Sequence, residues 1–440
     1  MLRLAVPAFA ALVSEPLFLL ADTAVVGFLG SGSLAALTVA ATIVQTVIGS
    51  CVFLAYATTA SVSRRVGAGD AAGAAQDGIA GLWLALGLGL VLGVGTALCA
   101  SVVVDWFGVS ADVGSQATDY VRLSAIGVPA MLLVLAATGV LRGLQDTWTP
   151  LVVVVAANLV NIALDVLLVY GFGWGLAGSA IGTVIAQSAA ALALTVAAVR
   201  AGRPAHPGLR PRARAVLSSA WAGLPLLVRT LTLRGVLVAA TAVAATLPQA
   251  SLAAQQITVT VVTALAYALD AVAIAAQTII GRYLGASDVA ATRRSARRMA
   301  AWGLAGGTVA ALGLLLVAPL LPYLFTADAD VQSAAVRGLV VAALIQPLSG
   351  VVFVLDGVLI GAGDGRYLAI AGLLTALVYL PAAWAVVSLG GGIGALWGAY
   401  GVWILARAGT LVIRARGDRW LRTGAVLGGP GSGPGSGPGS

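Results

Sequence analysis

The chain has 440 residues, 60% of them hydrophobic and only 9% charged, with a formal net charge of +8. Soluble domains carry about 25% charged residues, so a water-soluble enzyme of this size is excluded, and the wealth of Leu, Val and Ala excludes a disordered chain. Most of the protein must sit in lipid, where about 20 apolar residues of helix cross the hydrocarbon core.

Turn clusters, arginine runs and Gly/Pro breaks mark twelve apolar spans, over about 5–29, 34–59, 79–104, 119–141, 150–171, 175–200, 218–246, 252–280, 299–321, 333–361, 366–389 and 393–413. These segments are apolar on all sides, whereas barrel strands alternate over about ten residues. The expected fold class is therefore an all-α polytopic membrane protein. Span 1 runs through Glu15, Pro16 and Asp22 without a small-residue cleavage site, so it reads as a helix and not a signal peptide. Cys51 and Cys99 lie in apolar segments and read as small core residues. The sole histidine, His206, sits in a polar linker, 200–217, between a first lobe at 1–199 and a second at 218–422. Without a His or Cys cluster, neither a cofactor nor a metal site is expected. Residues 423–440 form a tail whose Gly/Pro/Ser run from Gly429 has the composition of an artificial linker and is set apart from the fold.

Lysine is absent, so all 24 basic residues are arginine. With the N-terminus placed inside, 19 arginines fall in cytoplasmic segments and none in outer loops, while loops 105–118 and 322–332 carry only acids. This positive-inside bias predicts both termini in the cytoplasm. The positive charge then means contact with anionic membrane lipid, and its dispersal over separate loops argues against a nucleic-acid surface.

An internal repeat organises the chain. Arg65-Val-Gly-Ala-Gly-Asp70 resembles Tyr283-Leu-Gly-Ala-Ser-Asp288, an offset of 218 residues. The same offset relates Asp112 to Asp330, Gly143-Leu-Gln-Asp146 to Gly361-Ala-Gly-Asp364, Phe107 to Phe325, Pro129 to Pro347 and Pro7 to Pro225. Six spans per half place both halves in the same orientation, predicting two six-helix lobes related by a pseudo-twofold axis along the membrane normal.

Acids inside lipid are costly and hence functional candidates. Five qualify: Glu15, Asp22, Asp165, Asp270 and Asp356. Glu15 and Asp22 share one face of span 1, which Pro7 and Pro16 permit to bend. Desolvation disfavours a charged carboxyl, so such a group suits proton-coupled movement; a permanently satisfied structural carboxylate is the plainer reading. Span 5 puts Asn158, Asn161 and Asp165 on one face, a candidate cation or proton site or simply a hydrogen-bonded join between helices. Thr183 and Gln187 in span 6 read as helix glue. Tyr267, Asp270 and Gln277 form a stripe on span 8, and Asp356 lies well inside span 10. Arg229 and Arg234 in span 7 would either pair with acids across helices or serve a gate or substrate contact. Gly87-Leu-Gly89 and Gly303–Gly307 are expected to support close helix packing rather than phosphate binding, and Trp106, Trp148 and Trp174 stand at span ends as interface anchors.

Leu20-Ala-Asp22-Thr-Ala-Val-Val-Gly27, Asn161-Ile-Ala-Leu-Asp165, Ala266-Tyr-Ala-Leu-Asp270 and Leu355-Asp356-Gly-Val-Leu-Ile-Gly361 resemble the DinF branch of the multidrug and toxic compound extrusion (MATE) transporters, over essentially residues 2–422. The resemblance implies export of organic, often cationic, compounds against inward H⁺ or Na⁺ flow by alternating access. The working unit is expected to be a monomer in a prokaryotic plasma membrane. The resemblance also implies that Asp22 is the coupling acid, that Asn161 and Asp165 are its partners with Thr183 nearby, and that Arg229 matches a basic position in helix 7. Phe18 stands where some relatives have Tyr, and span 7 lacks the acid of a Na⁺-using branch, which favours H⁺. Two rivals follow from the same residues. A lipid-linked precursor flippase would need a cationic cavity, where only Arg229 and Arg234 are expected to lie deep; a membrane-embedded enzyme would need a nucleophile–base pair or metal ligands, and none is evident.

Overall fold

The structure, a computed structural model, describes residues 2–202, 208 and 210–425, apart from the side chains of residues 2, 3, 15 and 17–21. The expectations placed on the side chains of Glu15, Phe18 and His206, and on the tail from 426 onward, lie outside the described residues.

Two compact units make up the chain, Val6–Gly223 and Leu224–Ser440 together with Met1–Ala5. The first holds most of α1 (Leu2–Gly27), then α2 (Ser31–Ser50), α3 (Phe53–Gly67), α4 (Ala71–Asp105), α5 (Ala111–Ala125), α6 (Val128–Gly143), α7 (Trp148–Val166) and α8 (Gly175–Gly202). The second holds most of α9 (Ala213–Ala245), then α10 (Gln249–Gly285), α11 (Val289–Val317), α12 (Ala329–Gly361), α13 (Gly365–Ser388) and α14 (Ile393–Arg416). Ten spans among the described residues are long and apolar enough to cross a membrane, and α5 with α6, bent by 49°, makes an eleventh. The 26 residues of α1 add a twelfth, about 39 Å long at the helical rise. Each expected span coincides with one of these segments, and the chain is a multi-pass membrane protein.

Several boundaries differ from expectation, among them the end of the second span, which runs to Gly67, and the start of the fourth, at Ala111, and two have a clear cause. The third and ninth spans were placed from 79 and 299, where the apolar runs begin, but α4 and α11 start at Ala71 and Val289. Asp70 and Asp288 cap them, each carboxylate accepting an N–H three residues on (Gly73 and Ala291, both 2.8 Å), so a polar first turn stays helical. The Gly73 N–H, and then the Arg65 guanidinium, hold the Asp70 carboxyl below its ordinary value of 3.8.

The repeat extends to backbone detail. Asp70 N–H closes on the Arg65 carbonyl at 2.9 Å and Asp288 N–H on Tyr283 at 3.0 Å; Asp146 and Asp364 make the same closure on Leu141 and Leu359. Helix contacts repeat as well. A Cβ on Gly89 would stand 2.5 Å from Pro129 Cα, and one on Gly307 would stand 2.9 Å from Pro347 Cα, both at the 218 offset. Gly139 meets Ala55 as Gly357 meets Ala273. Close packing thus explains Gly89, Gly303 and Gly307, whereas Gly87 and Gly306 face open space. Cys51 is buried as expected; Cys99 is exposed, because it lies on the outer face of α4.

Candidate functional site

In the first unit, three helices bring polar groups into an apolar interior. Asp22 on α1 is 6% exposed, Asn161 on α7 2% and Asp165 fully buried. Ser179 on α8 donates its hydroxyl to Asp22 Oδ1 at 2.7 Å. Asn161 Nδ2 donates to Asp165 Oδ1 at 3.1 Å, and Asn161 and Thr183 lie 3.3 Å apart. The two carboxyls are within hydrogen-bonding reach of one another, and buried Tyr120 on α5 lies in their neighbourhood, within reach of Ser179 and Ser124. Asp165 Oδ2 is buried with no hydrogen-bond partner among the described residues.

Local features of the chain make this possible. After Asp165 the helix widens into a π-turn over Leu167–Gly171, a device frequent at functional sites. Beyond it the chain turns at Gly173 (φ 71°) and Gly175 (φ 55°) into α8. Tyr170 in the π-turn donates its hydroxyl to the Val25 carbonyl, tying this corner to α1. On α8, a Cβ at Gly182 would lie 2.5 Å from Asp165 Oδ1, so glycine makes room for the carboxyl. Pro129 heads α6, and the bend it accompanies follows directly on Tyr120 and Ser124.

A second buried cluster lies in the other unit. Asp356 on α12, 5% exposed, accepts from Arg229 of α9 at 2.7 Å and from Arg407 of α14, both on Oδ2. Arg407 also lies 5.0 Å over the Trp403 ring, a cation–π arrangement. A small cleft beside the triad is lined by Leu368, Gly372 and Leu411 among others.

The structure therefore brings Asp22, Asn161, Asp165 and Thr183 together in one cluster. Asn158 is apart from them, its amide donating to the Ser14 carbonyl at 3.3 Å. Of the second-unit candidates, Arg229 and Asp356 meet, Gln277 is buried, and Tyr267 and Asp270 are half-buried. Arg234 is half-buried with no ion pair among the described residues. The expectation that only Arg229 and Arg234 lie deep needs correcting, because Arg407 is buried on the carboxylate of Asp356. Sequence reasoning also missed Ser179, Tyr120 and Gly182. Ser179 had a signal, since it stands one turn before Thr183 and extends the polar stripe of α8; Gly182 had none.

The two carboxyls of the first cluster have donors for one oxygen each and a further buried oxygen without one. Such a site can take up and release a proton, and its Asn, Thr and carboxylate oxygens are also donors a hard cation accepts. Asp356 differs, because two guanidiniums already satisfy it.

Comparison with known proteins agrees with the repeat. The MatE family model matches residues 7–167 and 225–385, two stretches themselves 218 residues apart. Protein DETOXIFICATION 44 of Arabidopsis thaliana, a chloroplastic protein, is 31% identical over 406 residues, covering 87% of this chain and 76% of that one. The DNA damage-inducible protein F of Escherichia coli is 32% identical over 191 residues, 43% of this chain and 42% of its own. A solved outward-facing multidrug resistance MATE family transporter of the MOP superfamily shares the fold, with a TM-score of 0.86 at 21% identity over 94% of each chain. The chain belongs to the MatE family of membrane transporters.

Proposed function

We propose that the protein is a secondary active efflux transporter that moves small organic compounds, often cationic, out of a prokaryotic cell by alternating access, with H⁺ as the coupling ion. The observation that carries this reading is the buried Asp22–Asp165 pair, in which Asp165 Oδ2 lacks a donor among the described residues. A proton on the pair supplies that donor and removes a charge from apolar surroundings; its loss restores the charge, so the two protonation states favour different conformations. H⁺ reaching Asp22 and Asp165 from outside neutralises the site, α1 bends near Pro16, and bound compound is released outward. Proton loss to the cytoplasm resets the site. The substrate class follows the multidrug resistance named for the structural relative. The arginine distribution, 19 against none, supports cytoplasmic termini.

Na⁺ is the second reading, favoured by the Asn161, Thr183 and carboxylate oxygens of the same cluster. A lipid-precursor flippase is disfavoured because Arg229 and Arg407 are engaged with Asp356. Reconstitution in proteoliposomes under imposed H⁺ or Na⁺ gradients, with a panel of organic cations, tests all three. Proton-driven flux that disappears in Asp22→Asn and Asp165→Asn is expected. Full proton-driven efflux by Asp22→Asn would refute the assignment, and flux driven by Na⁺ alone would replace H⁺ with Na⁺.

A further inference from the structure

The repeat fails where α14 ends, at Arg416, because α8 runs on to Gly202, four residues beyond the equivalent point. Residue 420 in the second unit is equivalent, at the 218 offset, to residue 202 in the first. Trp420 is 2% exposed and donates its Nε1 to the Ala415 carbonyl at 3.2 Å. The chain on either side of it is tied down, Asp418 by Arg293 of α11 and Gly424 by the Leu284 carbonyl of α10 at 3.2 Å. Arg293 and Leu284 are the equivalents of Ala75 and Val66. The first unit has Gly202 in place of the tryptophan. There Ala75, Val66 and Gly202 line a groove walled also by Val62, Val140 and Leu144. In the second unit the chain leaves the helix at Arg416 and buries an indole beyond it, whereas in the first α8 runs on as helix to Gly202.

The groove is apolar and its rim is basic. Arg200 is exposed on the last turn of α8, between lining residues Val199 and Ala201. Exposed Arg212 donates to Gln76, the neighbour of Ala75, at 3.4 Å. The nearby acids Asp70 and Asp77 are both engaged by Arg65. An aliphatic slot beneath two guanidiniums is complementary to an acyl chain beneath a phosphate: methylenes leave water, and the phosphate takes forked N–H donors. The linker that follows Gly202 is a poorer occupant, since from Arg203 to Leu209 it offers one leucine among arginine, histidine and two prolines.

We propose that the groove of the first unit binds one anionic phospholipid, an acyl chain lying along its aliphatic walls and the phosphate held by Arg200 and Arg212. The test titrates the full chain in detergent with dioleoylphosphatidylglycerol, dioleoylphosphatidylcholine and glycerol phosphate, and reads retention by native mass spectrometry. Phosphatidylglycerol is expected to be retained at one per chain, ahead of phosphatidylcholine, with no retention of glycerol phosphate. Gly202→Trp, which sets an indole on the lining of the groove, should weaken retention at least about tenfold. Arg200→Gln and Arg212→Gln should each weaken phosphatidylglycerol about fivefold and leave phosphatidylcholine unchanged. Ala75→Leu narrows the groove from another wall, and melting curves of both narrowed variants establish that they fold. Equal retention of the two lipids would overturn the proposal, as would full retention in both narrowed variants. So would a Leu209→Ser variant that holds more lipid than the parent, which would make the linker the occupant.

Discussion

Gly182 offers a sharp test of the acid cluster. An alanine there would put its methyl 2.5 Å from Asp165 Oδ1. A relaxed carbon–oxygen contact is about 3.3 Å, so the carboxyl must withdraw by roughly 0.8 Å. That movement stretches the Asn161–Asp165 bond, now 3.1 Å, past useful length. Losing a hydrogen bond to a buried acid costs about 1–3 kcal/mol. Alanine regains about 0.8–1 kcal/mol over glycine in a helix interior, leaving a net loss of about 1 kcal/mol. Gly87→Ala is the matched control: nothing lies within 4 Å of its Cβ, so it should collect the propensity term alone. The two variants should therefore differ in unfolding free energy by about 2 kcal/mol, with Gly182→Ala the lower. Transport should separate them further, because a displacement approaching 1 Å in a reacting group can cost about a hundredfold. Thermal melting in detergent and proton-driven efflux in proteoliposomes supply both readings. If Gly182→Ala melts with Gly87→Ala and transports like the parent, the carboxyl does not sit where this reasoning puts it.

Other perturbations bear on the frame around the sites. Gly89→Ala and Gly307→Ala drive a methyl into the backbone of Pro129 and Pro347, which cannot swing aside, and each should lower stability by about 1–3 kcal/mol in melting experiments. Asp356→Asn leaves Arg229 and Arg407 without their shared carboxylate; a loss of about 3–5 kcal/mol is expected, visible as a large drop in melting temperature or in monodisperse yield. Asp70→Ala should cost about 1 kcal/mol as a lost helix cap. Because the folded state holds the Asp70 carboxyl below 3.8, its contribution is complete above that pH and is lost as pH falls through the lowered value. The melting difference between parent and Asp70→Ala should accordingly be full at neutral pH and shrink in acid.

The twelve spans were legible because lipid demands long apolar runs, and a run of that kind leaves little choice but helix. Helix starts were less legible: Ala71–Gly78, rich in small residues, and Val289–Arg298, rich in arginine, look like loop until the Asp70 and Asp288 caps are placed. Asp22, Asn161, Asp165 and Thr183 were found because charge and amide are conspicuous in lipid. Ser179 and Tyr120 were not, because a serine or tyrosine in an apolar helix is commonplace and only distance tells which one faces an acid. Arg407 was seen as an arginine within a span, yet its partner lies 51 residues away on α12, and no local pattern connects them.

The two halves keep one frame and carry different chemistry on it. At the 218 offset the positions of Asp22 and Asp165 hold Ala240 and Ala383, and those of Asn161, Ser179 and Gly182 hold Tyr379, Trp397 and Tyr400. The tyrosine pair and the indole fill the second unit with aromatic packing where the first keeps carboxyls and amides. The converse also holds, since Asp356, Arg229 and Arg407 answer to Thr138, Ala11 and Ala189. Turns, caps and glycine contacts survive in both halves because they set helix geometry, which both halves need. Buried ionisable groups are expensive in lipid, so neither half carries a copy of the other's. A carboxylate pair short of a donor suits reversible protonation, and a carboxylate fixed by two guanidiniums does not. On the proposed reading the coupling chemistry falls to the Asp22–Asp165 pair of the first unit, while Asp356 joins α9, α12 and α14 through Arg229 and Arg407.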